Sequence, residues 1–317
     1  MPIFHHLCDI PPEARGGVVC IGNFDGVHLG HAAMLRTARR TAQDRNLPLL
    51  VVTFDPHPLQ LLRPEIPRPY LTTIGQRLAL SGAFAPEAIW LIRPDKNFLA
   101  TSAQAFETDI LAAELRASVL VEGSSFTYGK GALGNTQSLR SAGTNLGWQV
   151  VEIATTQGVL SDQTIVDVSS TLSRWLIGHG RMRDAQILLG RPYALAGTVI
   201  HGKGRGTSVL GYPTINLQSH QLLPADGVYA GEAVIAGSAY RAAISVGNNP
   251  TFGDTGKTVE AFLLDFSGNV YDQAVELVFR HWLRDQHTFP SVALLSRQIG
   301  RDVHRIKALS KVAGESG

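Results

Sequence analysis

Two histidines three residues apart, His28 and His31, sit in the stretch VVCIGNFDGVHLGHAAMLRTARR, residues 18–40, where an apolar run breaks into glycines before an amphipathic segment begins. A strand ending at residue 21 would deliver Gly22, Asn23, Phe24, Asp25 and Gly26 beyond the carboxyl edge of a parallel sheet, where ligands of such sheets bind. The glycines let the backbone approach a ligand closely, and the free N–H groups of the helix that follows favour a phosphate. Imidazoles on the first turn of that helix supply donors to charge building on phosphate oxygens. For two isolated histidines the commoner role is to cap or solvate a helix start. The ordered set of strand, glycine turn, Gly-x-His-x-Gly-His and helix favours phosphate chemistry instead.

Three further places carry chemical groups. Ser169, Ser170 and Thr171 precede Arg174, and the hydroxyls alone read as an ordinary N-cap. Residues 201–206, HGKGRG, and 211–216, GYPTIN, are glycine-rich, cationic and hydroxyl-bearing. They form neither a P-loop nor a GxGxxG turn opening a helix, and by composition they also suit a flexible surface loop. Glu260 is a lone carboxylate beside a strand-like run, a position usually solvated.

The elements that must position these groups follow from periodicity. Apolar runs at 17–21, 49–54, 88–92, 118–123 and 149–153 alternate with helical patterns at 31–45, 73–84, 102–115 and 135–146. That alternation predicts an α/β domain with a mainly parallel sheet covered on both faces. After about residue 190 the segments YALAGTVIHG, GVYAGEAVIAG, YRAAISVG, TVEAFLLDF and AVELVFRHWL are short, β-rich and separated by turn residues. They predict an antiparallel barrel, closed by an amphipathic helix over 291–307 that Ser291 caps. The join falls near 188–193, dividing the chain into domains 1–187 and 188–317.

With 317 residues, 44% of them apolar, two domains are expected. The net charge of +2, pI near 8.6 and absence of long like-charge runs call for neither nucleic acid nor an anionic membrane as partner. Cys8 and Cys20 are too few for a disulfide framework and lack metal-ligand spacing. Both are expected as buried small hydrophobes in a reducing compartment. The first 24 residues do not resemble a signal peptide, and no apolar stretch reaches the roughly 18 residues a spanning helix needs. A soluble, cytoplasmic protein is expected.

The motifs form an ordered series. GVHLGH at 26–31 resembles the His-x-x-His signature of nucleotidylyltransferases, and GNFDG at 22–26 narrows the likeness to the bacterial bifunctional riboflavin kinase/FMN adenylyltransferase family. TFDPHP at 53–58, FTYGK at 126–130 and SSTLSR at 169–174 continue it, followed by GYPTIN, LPADGVY at 223–229, VGNNPTFG at 246–253, VEAFLLD at 259–265 and RDQHTF at 284–289. The match runs from about residue 16 to residue 302.

The resemblance implies a Rossmann-like nucleotidylyltransferase domain followed by a riboflavin kinase β-barrel with a terminal helix. It implies phosphorylation of riboflavin to FMN with ATP, releasing ADP, and adenylylation of FMN to FAD, releasing pyrophosphate, with Mg²⁺ as cofactor. His28, His31, Arg174 and Glu260 take the catalytic positions, Glu260 as acceptor of the ribityl hydroxyl proton. ATP and its phosphates fall to Gly22, Asn23, Phe24, Asp25, Gly26, Ser169, Ser170, Thr171, Gly202, Lys203, Gly204, Arg205, Thr214 and Asn216, with Thr214 and Asn216 also holding the metal. Flavin contacts fall to Phe54, Pro56, Ser125, Phe126, Tyr128, Asn248, Arg284 and Phe289. Neither nucleic acid nor membrane is implied, and a monomer or weak homo-oligomer is expected.

The chain departs from the family pattern in three places. Gly123-Ser124-Ser125 replaces an acidic or amide residue before Phe126, Ser173 stands where an apolar residue is common, and Thr207-Ser208-Val209 lengthens the kinase loop by one residue. The first departure predicts weakened or re-tuned adenylyltransferase activity. Two rivals stand beside the bifunctional reading: a riboflavin kinase with weak or lost adenylyltransferase activity, and a non-catalytic flavin- or nucleotide-binding regulator.

Overall fold

The structure is a computed structural model that describes residues 1–201, 214–248 and 257–313. The chain divides into two compact units, the first comprising Met1–Arg68, Ile74–Gly158 and Ile165–Ser169, the second Pro69–Thr73, Val159–Thr164 and Ser170–Gly317.

In the first unit β1 (Ile3–Phe4), β2 (Val18–Ile21), β3 (Leu49–Phe54), β4 (Ala88–Ile92) and β5 (Val119–Gly123) are followed by the short strands β6 (Thr127–Tyr128) and β7 (Gly134–Asn135), then by β8 (Gln149–Ile153). Six of these form one parallel sheet in the order β1-β4-β3-β2-β5-β8. The chain builds outward from β2 through β3 to β4, then crosses back to lay β5 and β8 on the other side of β2. The topological switch point therefore lies between β2 and β5, the place where open α/β sheets open a crevice for ligands.

Both faces of the sheet are covered. The helices are α1 (Leu29–Arg45), α2 (Pro58–Leu62), α3 (Ile74–Gly82), α4 (Lys96–Ala100), α5 (Ala103–Ala105) and α6 (Thr136–Leu146), with a π-helix over Phe106–Glu114. On one face Leu35, Ala38 and Ala42 of α1 pack on Val18, Cys20, Val51 and Val121. On the other, Phe106, Leu111, Leu115, Leu139 and Trp148 pack on Val19, Ile21, Val52, Trp90 and Leu120. Because strand side chains alternate between faces, strands buried on both sides must be apolar throughout, and β2, β3, β4 and β5 are almost entirely so.

The five sequence-predicted strands all form. The helical pattern over 102–115 becomes one turn of α-helix and then the π-helix, with Leu115 N–H bonded to Ile110 O at 2.9 Å. Phe106 and Leu111 are five residues apart, so the wider coil brings both into the core. Cys20 is buried as expected, but Cys8 is exposed: it falls in a short 3₁₀ turn, Leu7–Asp9, that buries none of its residues.

After the short strands β9 (Gln157–Val159) and β10 (Ile165–Asp167), the main segment of the second unit begins with α7 (Ser170–Gly178) and α8 (Met182–Leu189) and continues into a closed antiparallel barrel. Its strands are β11 (Tyr193–Ile200), β12 (Thr214–Gln218), β13 (Gly227–Ile235), β14 (Ser238–Gly247), β15 (Thr258–Leu263) and β16 (Ala274–Arg284), in the order β11-β12-β15-β14-β13-β16. The sixth strand, β12, begins inside the 211–216 motif and lies in none of the five predicted runs. Ser291 Oγ accepts the Leu294 N–H at 3.3 Å ahead of α9 (Val292–Ala313), whose Ile306 joins Val228, Ala230, Leu264 and Leu283 in a small core outside the barrel. The segment Pro69–Thr73 belongs to this unit too: Tyr70 O accepts from Leu222 N at 2.8 Å, and Leu71 O accepts from Gln221 Nε2 at 2.8 Å.

Gly231 lies where two barrel strands leave no room for a side chain. A Cβ there would lie 2.1 Å from the Val278 carbonyl oxygen and 2.8 Å from Ile244 Cδ1, so β13 and β16 must separate to admit it. Gly231→Ala is expected to destabilise the second unit by about 1–3 kcal/mol, read as a lowered denaturant midpoint in equilibrium unfolding.

Candidate active sites

The first site grows out of the end of β2. Gly22 N–H bonds Val52 O at 2.9 Å, and Val27 N–H closes a turn on Phe24 O at 3.0 Å. Phe24, Gly26 and Val27 have φ of 47°, 82° and 37°. Left-handed backbone at two non-glycine residues, one β-branched, stores strain of about 1–3 kcal/mol each, and such strain gathers at ligand sites. Burial of the Phe24 ring, fully out of solvent, offsets it. The ring packs edge-on to His31 with centroids 5.3 Å apart, and a Cβ at Gly22 would come within 2.9 Å of it.

His28 is the N-cap of α1, and its Nδ1 accepts the His31 backbone N–H at 3.3 Å. An accepting Nδ1 carries no proton, so Nε2 is the N–H of this ring. The two imidazoles stack with centroids 3.7 Å apart and planes 16° from parallel. Gly30 makes room for them: a Cβ there would press within 3.2 Å of His28 Cε1 and Nδ1. The pair thus forms one stacked plate at a helix N-terminus, with Nδ1 of His28 spent on the cap. Asp25 is buried in the same turn, whereas Asn23 is half-buried with its Oδ1 enclosed and, among the described residues, without a hydrogen-bond partner.

Next to this loop an aromatic layer covers one face of the sheet. Phe54 lies 6.0 Å from Phe98, and Phe126 stacks on Tyr128 at 5.5 Å. The Tyr128 hydroxyl bonds Glu107 and Ser138, and burial, reinforced by the Glu107 bond, pushes its pKa well up. Pro56 follows a cis peptide bond from Asp55. Ser125 is exposed, as is Ser124, whose hydroxyl lies 3.4 Å from that of Thr155. The Ser-Ser-Thr motif straddles the two units: Ser169 ends the first, while Ser170, Thr171 and Arg174 lie on α7 in the second, where Arg174 Nε donates to Pro69 O at 3.0 Å.

The second site is written in the register of the barrel. On β12, β15 and β14 the fully buried positions alternate with half-buried ones. Ile215, Leu217, Val259, Ala261, Ile244 and Val246 fill the interior, and Thr214, Asn216, Glu260 and Ser245 share the opposite face. Glu260 stands directly across from Asn216 on one side and Ser245 on the other, with Thr214 diagonal to it. Gln286 donates to Ser245 Oγ at 2.9 Å, and Lys257 pairs with Asp226 at 2.8 Å near the same end. Arg284 is held by Asp302 of α9 through Nε and Nη2, at 3.0 and 2.8 Å, and lies 5.7 Å over the ring of half-buried Phe289. Asn248 is exposed. Gly202, Lys203, Gly204 and Arg205 lie outside the described residues.

Comparison with known proteins sets these two sites in one frame. Residues 10–171 match the FAD synthetase family model, and residues 189–310 match that of riboflavin kinase. The bifunctional riboflavin kinase/FMN adenylyltransferase of Escherichia coli K12 is 34% identical over 300 residues, covering 94% of this chain and 93% of its own. The chain belongs to the bifunctional riboflavin kinase/FMN adenylyltransferase family. Its namesake from Pseudomonas fluorescens is also 34% identical, over 98% of both chains, and that of Bacillus subtilis 32% over 94% of this chain. A solved structure described as a macrolide-efflux protein from Streptococcus pneumoniae is 29% identical with a TM-score of 0.81, over 96% of this chain and 98% of its own. Efflux is said of that protein; among the described residues here no helix is long and apolar enough to cross a membrane.

Within this family frame, two residues that motif reading passed over stand out. Arg77 of α3 is buried and donates to Phe54 O at 2.8 Å, bracing the end of β3. Glu122 of β5 is fully buried, and its Oε1 accepts the Ile21 N–H at 2.8 Å. Burial pushes the Glu122 carboxyl well above the usual carboxylate range, and burial followed by the nearby Glu122 does the same to the Cys20 thiol. The sequence did carry a signal for Glu122, an acid in an otherwise apolar strand. Arg77 gave none.

The Arg284–Asp302 pair ties the end of β16 to α9, with Asp302 almost fully buried. Removing one partner of such a pair leaves a buried charge uncompensated. Asp302→Ala is expected to destabilise the second unit by about 3 kcal/mol, and the Arg284→Met/Asp302→Leu double change by less, as measured in a double-mutant cycle of denaturant unfolding.

Proposed function

We propose that the second unit phosphorylates riboflavin to FMN with ATP and the first adenylylates FMN to FAD. The observation that carries the reading is that each family match contains its own set of phosphate-handling groups: a stacked imidazole pair capping α1 at the sheet's switch point, and a carboxylate flanked by amide and hydroxyl groups on one barrel face.

In the kinase, the ribityl 5′-oxygen attacks the γ-phosphorus of ATP, the bond to the β–γ bridging oxygen breaks, and ADP leaves. Glu260 accepts the hydroxyl proton, and its half-buried setting between Asn216 and Ser245 supports that role. Thr214 and Asn216 offer hard oxygen donors on the same face, a set that suits Mg²⁺, which takes few protein ligands beside phosphate oxygens. Bound there, Mg²⁺ would draw negative charge from the ATP phosphates. Phe289, with Arg284 above its ring, offers a flat apolar surface for isoalloxazine.

In the adenylyltransferase, a phosphate oxygen of FMN attacks the α-phosphorus of ATP and pyrophosphate leaves. No covalent enzyme intermediate is needed, so catalysis is positioning plus charge stabilisation. The Nε2–H of His28 and the ring of His31 donate to the developing charge, with the N-terminus of α1 behind them. Ser169, at the end of the same unit, supplies a further phosphate contact. Phe54, Pro56, Phe126 and Tyr128 provide the flavin surface. Cytoplasmic location is part of this reading, supported by two cysteines that are both free.

A narrower reading, kinase without effective adenylyltransferase, draws on Ser124 and Ser125, which bring no charge to the flavin side of the first site. Incubation with riboflavin, ATP and Mg²⁺ followed by flavin chromatography separates the readings: FAD supports the bifunctional enzyme, accumulated FMN the narrower one, and untouched riboflavin and FMN overturn both. Glu260→Gln is expected to lower FMN formation by about 10²-fold or more while FMN is still converted to FAD. His28→Ala is expected to do the reverse by about 10²–10³-fold. Loss of both activities from either change in a folded protein would defeat the two-site assignment.

A further inference from the structure

Glu122 occupies an unusual place. The ladder between β2 and β5 contains only two residue pairs, Val18↔Val119 and Val19↔Leu120, although β3 stays paired with β2 as far as Ile21↔Val52 and β8 with β5 as far as Gly123↔Ile153. Continued in the same register, the β2–β5 ladder would bring Ile21 opposite Glu122. Instead the Ile21 N–H turns to the Glu122 side chain, whose Oε1 takes it at 2.8 Å. A carboxyl group has replaced a main-chain carbonyl at the point where two central strands part.

This is a costly residue for its position. Glu122 is fully out of solvent, and its Oε2 has no hydrogen-bond partner among the described residues. By strand alternation it shares the face of Leu120, in the apolar layer that also holds Ile21, Phe106 and Tyr128. A valine or leucine would fill the same layer without burying an acid. The return for this cost is the Ile21 N–H, which as a buried backbone donor must have an acceptor. The next residue, Gly22, begins the loop on which His28 and His31 depend.

We infer that Glu122 is a positioning residue of the adenylyltransferase site, a wedge that holds β2 and β5 apart at the switch point and fixes where the 22–26 loop begins. The inference rests on the adenylyltransferase reading of the first unit. Without the wedge, either the ladder zips one step further or the Ile21 N–H loses its acceptor. Both displace the loop, and with it the imidazole plate, while leaving the barrel untouched.

The test compares Glu122→Gln, whose amide oxygen still accepts from Ile21 and whose volume is unchanged, with Glu122→Leu, which fills the space without an acceptor. Two readouts are taken on the full chain: kcat/KM for ATP in FAD formation from FMN, and amide hydrogen exchange across residues 22–26. Glu122→Leu is expected to lose at least tenfold in kcat/KM and to speed loop exchange at least fivefold. Glu122→Gln should stay within about threefold of wild type in both, and riboflavin phosphorylation should be retained in both variants. Wild-type values in Glu122→Leu, or a Glu122→Gln as damaged as Glu122→Leu, would overturn the inference. If Glu122→Leu does not fold, Glu122→Gln decides it alone by the same threefold limit. Should wild type form no FAD, the adenylyltransferase reading falls, and the exchange comparison still judges the wedge because it needs no turnover.

Discussion

The arrangement of the first candidate site is set by a hydrogen bond from the His31 backbone N–H to Nδ1 of His28. A helix must satisfy the N–H groups of its first turn, and here an imidazole does so instead of the hydroxyl or carboxylate usual at that position. The bond fixes the ring's tautomer and its plane, and the second imidazole then stacks on it. Gly30 leaves the space for this, and Phe24, turned inward on a left-handed backbone, supports His31 from the side. The ring that meets the helix's need for a cap is also the one that the second imidazole stacks on.

The sheet decides where that ring stands. Its strand order reverses between β2 and β5, and beyond the paired residues Val19 and Leu120 a buried carboxyl group takes the Ile21 N–H. The barrel solves the same problem differently. There the alternation of one strand puts Glu260 on the face opposite the packed interior, and antiparallel register brings Asn216 and Ser245 to either side. One site is thus organised by a helix end at a gap in a parallel sheet, the other by side-chain rows on a closed one.

Much of this was legible in the sequence. Five of the six parallel strands appear because each centres on an apolar run, and β2 and β4 are apolar and buried throughout, the mark of a strand covered on both faces. The terminal helix and its Ser291 cap follow from periodicity and a hydroxyl. The barrel was legible as a rhythm of short segments, but β12 was hidden because its first three residues sit inside a motif that composition alone reads as loop. The turn from α-helix to π-helix at Phe106 escaped as well, since over so short a stretch apolar spacings of four and five residues look alike. Cys8 was assigned to the core on residue type, yet only its neighbours determine burial, and its turn has none that cover it.

By itself the sequence determined which candidate groups each unit carries, because residue type and spacing along one strand or one helix turn are local properties: His28 three residues before His31, and Thr214 two residues before Asn216. Only the tertiary structure decided what those groups lie against. That His28 spends Nδ1 on its own helix, that Arg284 is already gripped by Asp302, and that Glu122 stands in the gap beside Ile21 all depend on contacts between residues distant along the chain or on the rotamers that packing selects. Such contacts are set by strand order and register, which no single stretch of sequence encodes.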